Sequence, residues 1–248
     1  MAAYLIPTFF LTALLYATAG FGGGSTYLAL LALTDLPVGQ LRPLALCANL
    51  VVAGGGAWRF WRAGQLPGRR AGGLVLASVP AAFLGGLVAL PREQYLGLLA
   101  VVLLAAGLLT WWRPRAAENE PPASRSQRTG LALGGATGLL AGVVGIGGGV
   151  FLAPALYRLR WGGARRIAAT TSLFICANSL AGLAGQFAAG ARLPGGWGPV
   201  ALLLAVLAGG QLGTRLTLGY LSPTLIRRTT AVLIIAVALR LLHQWFTG

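Results

Sequence analysis

Six stretches of this chain, near residues 43 to 61, 71 to 90, 95 to 112, 168 to 189, 197 to 220 and 226 to 246, are apolar over the length needed to cross ~30 Å of hydrocarbon. No water-facing surface of ordinary polarity can be assembled around them. Of 248 residues only 19 are basic and 4 acidic, where a soluble domain has about a quarter of its residues charged. The expected fold class is therefore an all-α polytopic membrane protein.

Two further apolar stretches, 4 to 33 and 129 to 157, are each close to thirty residues and each interrupted by glycine. The interruptions read Gly20-Phe21-Gly22-Gly23-Gly24 and Gly145-Ile146-Gly147-Gly148-Gly149. Two full crossings need about 40 residues. Each stretch is therefore predicted to be a hairpin of short or tilted helices that enters the membrane and turns at its glycines.

The halves of the chain resemble each other. Gly24 to Gly149 is an offset of 125, and Cys47-Ala48-Asn49 to Cys176-Ala177-Asn178 one of 129. Between them runs the polar segment from Arg113-Pro114-Arg115 to Arg128, rich in proline and charge. The division is a first membrane repeat over 1–113, a cytoplasmic linker over 114–128 and a second repeat over 129–248. Every basic residue is arginine, and the arginines cluster at 59–70, 113–128 and 158–166. Under the positive-inside rule all three clusters are cytoplasmic. A hairpin plus three spans per half then places the halves upside down relative to each other, the pattern of a secondary transporter.

The formal net charge of +15 does not indicate nucleic acid here, because the arginines lie in short loops between apolar runs, where anionic lipid headgroups are the partners. Met1-Ala2-Ala3-Tyr4 carries no basic region ahead of its apolar run, so no cleaved leader is expected. Cys47 and Cys176 lie within apolar segments, and His243 is the single histidine. Neither a disulfide framework, a metal site, a cofactor nor a serine–histidine pair is indicated, and enzyme activity is not expected.

Glycine breaks inside a membrane expose backbone groups that lipid cannot satisfy. Helix starts at Gly22, Gly23, Gly24 and at Gly147, Gly148, Gly149 would gather amide donors suited to an anion. The plainer alternative is that these glycines permit close helix packing. Asn49 and Asn178 sit mid-span, either as donors to an oxyanion or as hydrogen-bond partners of the broken backbone. Ser25, Thr171 and Ser172, with Thr26 and Thr170 beside them, offer neutral hydroxyls, although such groups often bond their own helix. Cys47 and Cys176 do not share a helical face with the asparagines and read as small buried side chains. Gln186 and Gln211 are mid-span amides that line a path or bond across helices. Arg215, deep in its segment, either snorkels or offers charge to an anion. None of Asp35, Glu93, Glu118 and Glu120 falls in mid-span, which speaks against carboxylate-based cation transport.

The run Gly138-Leu139-Leu140-Ala141-Gly142-Val143-Val144-Gly145-Ile146-Gly147-Gly148-Gly149-Val150-Phe151-Leu152-Ala153-Pro154, followed by Ala168-Ala169-Thr170-Thr171-Ser172, resembles the sulfite exporter TauE/SafE family, also called the four-toluene sulfonate uptake permeases. The first half repeats the run more loosely, with Ser25-Thr26-Tyr27 in place of Val150-Phe151-Leu152 and no proline matching Pro154. The resemblance implies a permease of the inner membrane for a small anion such as sulfite, sulfoacetate, thiosulfate or a sulfonate. Protons stand as a candidate coupling ion and an oligomer is compatible with the pattern. A passive anion channel and a non-transporting membrane subunit are the alternatives.

Overall fold

The structure, a computed structural model, describes residues 4–18, 22–64, 69–112, 127–216 and 223–247. Among them are ten helices and no strand: α1 (Leu5–Thr18), α2 (Gly24–Ala32), α3 (Val38–Arg62), α4 (Arg69–Leu87), α5 (Arg92–Trp111), α6 (Gln127–Val144), α7 (Gly149–Arg158), α8 (Ala164–Ala188), α9 (Trp197–Leu216) and α10 (Pro223–Thr247). Hydrocarbon offers no partner to a free peptide group, and a helix satisfies its backbone within one segment. Val38–Arg62, Arg92–Trp111 and Arg166–Ala188 are long and apolar enough to cross a membrane, with shorter apolar helices beside them. Leu76, Val101 and Leu204 face outward, and Trp58, Trp61, Trp111, Trp197 and Trp245 stand exposed near helix ends. An apolar exterior rimmed by tryptophan suits a bilayer.

Both apolar stretches interrupted by glycine form two helices, α1 with α2 and α6 with α7. The second pair is unequal, 18 residues against 10. Residues 113–126, most of the expected linker, lie outside the described residues, as do Gly20 and Phe21.

Packing runs between the early and the late helices. α4 lies along α6, α1 along α9, α5 along α10 and α3 along α8. Gly209 and Gly213 of α9 meet Phe10 and Leu14 of α1, so these two run parallel. Gly134, Gly138 and Gly142 of α6 meet Leu74, Ser78 and Ala82 of α4, again in parallel. α3 and α8 are antiparallel: Leu46 approaches Gly182, Asn49 bonds Ser179, and Gly56 faces Ser172. A side chain on any of the three α6 glycines would strike the α4 backbone. Backbones approach this closely only where small residues recur at every fourth position.

α3 begins at Val38, behind Pro37, and includes Pro43. Proline has no N–H to give the carbonyl four residues back; the Gly39 carbonyl instead accepts from the Arg192 N–H at 3.1 Å. Arg42, which lies just ahead of the apolar run 43 to 61, is inside this helix and buried.

Replacing Gly138 by Leu should force α6 off α4 and destabilise the protein by about 1–3 kcal/mol, whereas Gly135→Leu, at a position with open space around it, should leave the unfolding midpoint in detergent near that of the parent. Thermal unfolding of the two variants, compared side by side, checks this.

Candidate functional site

Both glycine breaks turn through a left-handed residue that serves as the N-cap of the next helix. Gly23 before α2 has φ 80° and Gly148 before α7 has φ 76°. Residues with a Cβ are strained there. The breaks meet inside the protein: a Cβ on Gly24 would stand 2.7 Å from the Ile146 carbonyl oxygen.

Asn49, at the middle of α3, joins them. Its Oδ1 accepts from the Gly24 N–H at 3.1 Å, and its Nδ2 donates to the Ile146 carbonyl at 3.3 Å and to Ser179 Oγ of α8 at 3.1 Å. One amide thereby satisfies the first peptide of α2, a carbonyl of the other break and a hydroxyl of the facing helix. Gly22 and Gly147 have to be glycine because a Cβ on either would coincide with the Asn49 amide. The close-packing reading and the polar reading of these glycines thus describe the same contact.

Two further side chains serve the same end of α6. Arg42 donates through Nη1 to the Val88 carbonyl and through Nη2 to the Gly142 carbonyl, both at 2.9 Å. Its guanidinium lies 5.7 Å from the centre of the Tyr95 ring, and Tyr95 donates its hydroxyl to the Val144 carbonyl at 2.8 Å. Gly142, Val144 and Ile146, at the carbonyl-rich end of α6, therefore each accept from a side chain, and a cation at that end complements the helix dipole.

The later half is built differently. Asn178 has the place in α8 that Asn49 has in α3, yet its Nδ2 donates to the Phe174 carbonyl of its own helix at 2.9 Å and its Oδ1 is buried without a partner. Thr171, whose methyl lies 3.2 Å from a Cβ built on Gly149, has a buried, unpartnered Oγ1, and both polar atoms of Gln186 are buried and unpartnered. With the offset of 129 that relates the asparagines, Thr171 corresponds to Arg42, and Gln186 to Ala57.

The structure thus brings Gly22, Gly24, Gly147 and Asn49 together, and Thr171 against Gly149. Ser25 is buried in the first turn of α2, and its neighbour Thr26 bonds Tyr16 at 2.8 Å. Ser172 faces Gly56 of α3, and Thr170 bonds the Arg166 carbonyl of its own helix. Cys47 and Cys176 are half-buried free thiols, and Gln211 is exposed. The side chain of Arg215 lies outside the described ones. Arg42, Ser179 and Tyr95 escape a reading by motif. For Arg42 a signal exists: it precedes Asn49 by seven positions, hence two turns along the same helical face.

Replacing Asn49 by Ala leaves the Gly24 N–H and the Ile146 carbonyl buried without partners, a loss of about 1–3 kcal/mol for each group. The Asn49→Ala protein should therefore unfold well below the parent in a thermal scan. An unchanged midpoint would contradict the joining role.

The sequence model for the sulfite exporter TauE/SafE family matches residues 5–241. The probable membrane transporter protein y4hK of Sinorhizobium fredii is 36% identical over 244 residues, which cover 96% of this chain and 97% of that protein. No solved structure matches the chain. Gly-broken helix pairs, an apolar exterior and sequence similarity along nearly the whole length agree, and the chain belongs to the sulfite exporter TauE/SafE family of membrane transporters.

Proposed function

We propose that the chain is a secondary carrier that moves a small sulfur-containing or organic anion, such as sulfite, sulfoacetate, thiosulfate or a sulfonate, across the inner membrane by alternating access. The observation that carries this reading is the difference between Asn49 and Asn178. Equivalent positions of the two halves are in opposite conditions, one amide joined to both glycine breaks and the other buried with an idle oxygen.

The halves 1–113 and 129–248 are read as inverted repeats. α3 is antiparallel to its counterpart α8, while α1 runs with α9 and α4 with α6, two pairings that map onto each other when the halves are exchanged. In such an architecture the two access states arise when the repeats exchange conformations. Asn178 would then take up the Gly149 N–H in the state where Asn49 lets go of Gly24. Burial of unpartnered polar atoms is unfavourable, and Thr171, Asn178 and Gln186 lie along α8 as such a row. That row is the path. The anion meets the amides at the start of α7 and the hydroxyls of Thr171 and Ser172, with Ser25 and the amides of Gly22–Gly24 as its equivalent in the other repeat.

Asn178 Oδ1 is an acceptor, matched to an anion that still carries a proton, such as hydrogensulfite. Proton movement then travels with the substrate and needs no membrane carboxylate. Proteoliposomes should show saturable uptake of at least one of sulfite, thiosulfate, sulfoacetate and sulfate over protein-free vesicles, and Asn178→Ala should abolish it while the protein stays folded. Normal flux in Asn178→Ala would remove the site. A permanently ionised sulfonate should cross without acidifying the lumen, and lumenal acidification with that substrate would contradict proton carriage by the anion.

A further inference from the structure

We propose that Arg42 is the charge that recruits the anion at the mouth remote from the arginine-rich loops, and that it does so by exchanging its two carbonyl partners for the oxygens of the substrate. The inference rests on the carrier reading above and assigns it a specificity-determining residue.

Arg42 is only 4% exposed and, among the described residues, is the one charged side chain that is buried. All its partners are neutral: the carbonyls of Val88 and Gly142 and the face of Tyr95, while its Nε–H is buried with no partner. An ionised group compensated by dipoles alone is expensive to keep out of water. The equivalent position in α8 is the neutral Thr171, so the charge is no part of what the two halves share. Neutral donors could bond the same carbonyls, so the charge itself is what an anion would use.

Its position agrees. Arg42 lies in the first turns of α3, whereas Arg59 and Arg62 of the basic loop lie at the opposite end of that helix. At the same end of α3, Arg92 has both arms on the carbonyls of Leu36 and Thr34 at 2.7 and 3.0 Å and lines a hollow with Asp35. The two arms of Arg42 tie α3 to Val88, just past the end of α4, and to Gly142 near the end of α6. The Arg42 side chain packs at Gly145, where a Cβ would lie 3.3 Å from the Arg42 Cβ. An oxyanion presents two oxygens in the fork that a guanidinium fits and makes stronger hydrogen bonds than carbonyls do. Capturing the anion and releasing Val88 and Gly142 are then one event, which couples binding to opening.

The experiment compares parent, Arg42→Gln and Arg42→Lys proteins in proteoliposomes, with doubly charged sulfoacetate and singly charged methanesulfonate as probes. Arg42→Gln should raise the KM for sulfoacetate by about tenfold or more and that for methanesulfonate by less, because a lost charge weighs more on the dianion. Arg42→Lys retains the charge without the fork and keeps the comparison available if Arg42→Gln does not fold; its KM for sulfoacetate should rise about threefold with the preference for the dianion kept. A purely structural lock would lower Vmax for both anions and leave each KM within about twofold of the parent, and that result would overturn the proposal. Absence of saturable flux in the parent protein for every anion tried would sink the carrier reading, and this inference with it.

Discussion

A peptide group in hydrocarbon must find its partner inside the protein, and at Asn49 one side-chain amide answers that demand for two interrupted helix pairs together. The Gly24 N–H, the Ile146 carbonyl and Ser179 Oγ converge on it. The glycines around it are spaced by the size of that amide, since Gly22 and Gly147 leave the room it occupies. Without such a partner, breaking a helix in mid-membrane would be too costly, and the breaks would have no reason to lie next to each other.

The two halves of the molecule share this plan and differ in how they fulfil it. In the first half α3 spends its amide, since Asn49 bonds through both of its polar atoms, and Arg42 and Tyr95 close the end of α6, while the Arg42 Nε–H and the Tyr27 hydroxyl stay buried without a partner. In the second half the matching stripe on α8 retains idle groups at Thr171, Asn178 and Gln186. A stable scaffold has little use for that contrast, because idle buried polar atoms destabilise whatever state they occupy. The proposed carrier, alternating between two states that each satisfy one half, would account for it. The small-residue contacts of α4 with α6 and of α1 with α9 supply the rigid bodies that such an exchange would move.

Much of this was legible in the sequence. Apolar run length gave the helices, and the paired glycine motifs gave the two broken pairs at Gly22–Gly24 and Gly147–Gly149. The asparagines stood out because a mid-span amide is costly unless bonded. Which of the two uses each amide serves was not legible, since that depends on the neighbours packing brings: Asn49 meets the opposite break while Asn178 folds back on Phe174. Arg42 was hidden by a boundary. The apolar run begins at Pro43, one residue after Arg42, but α3 starts at Val38, and the backbone N–H of Arg192 bonds the Gly39 carbonyl that Pro43 leaves open. Tyr95 and Ser179 carried no signal at all, because each acts through a contact with a helix distant in sequence.

The central claim is alternation, and counterflow tests it most directly. Proteoliposomes holding the reconstituted protein would be loaded with unlabelled substrate anion and diluted into a trace of labelled anion. A carrier whose halves exchange conformations predicts transient accumulation of label above its external concentration, driven by the outward gradient of unlabelled anion. Label that only approaches its external concentration without overshoot, at the same protein density, would mean an open pore and contradict the account.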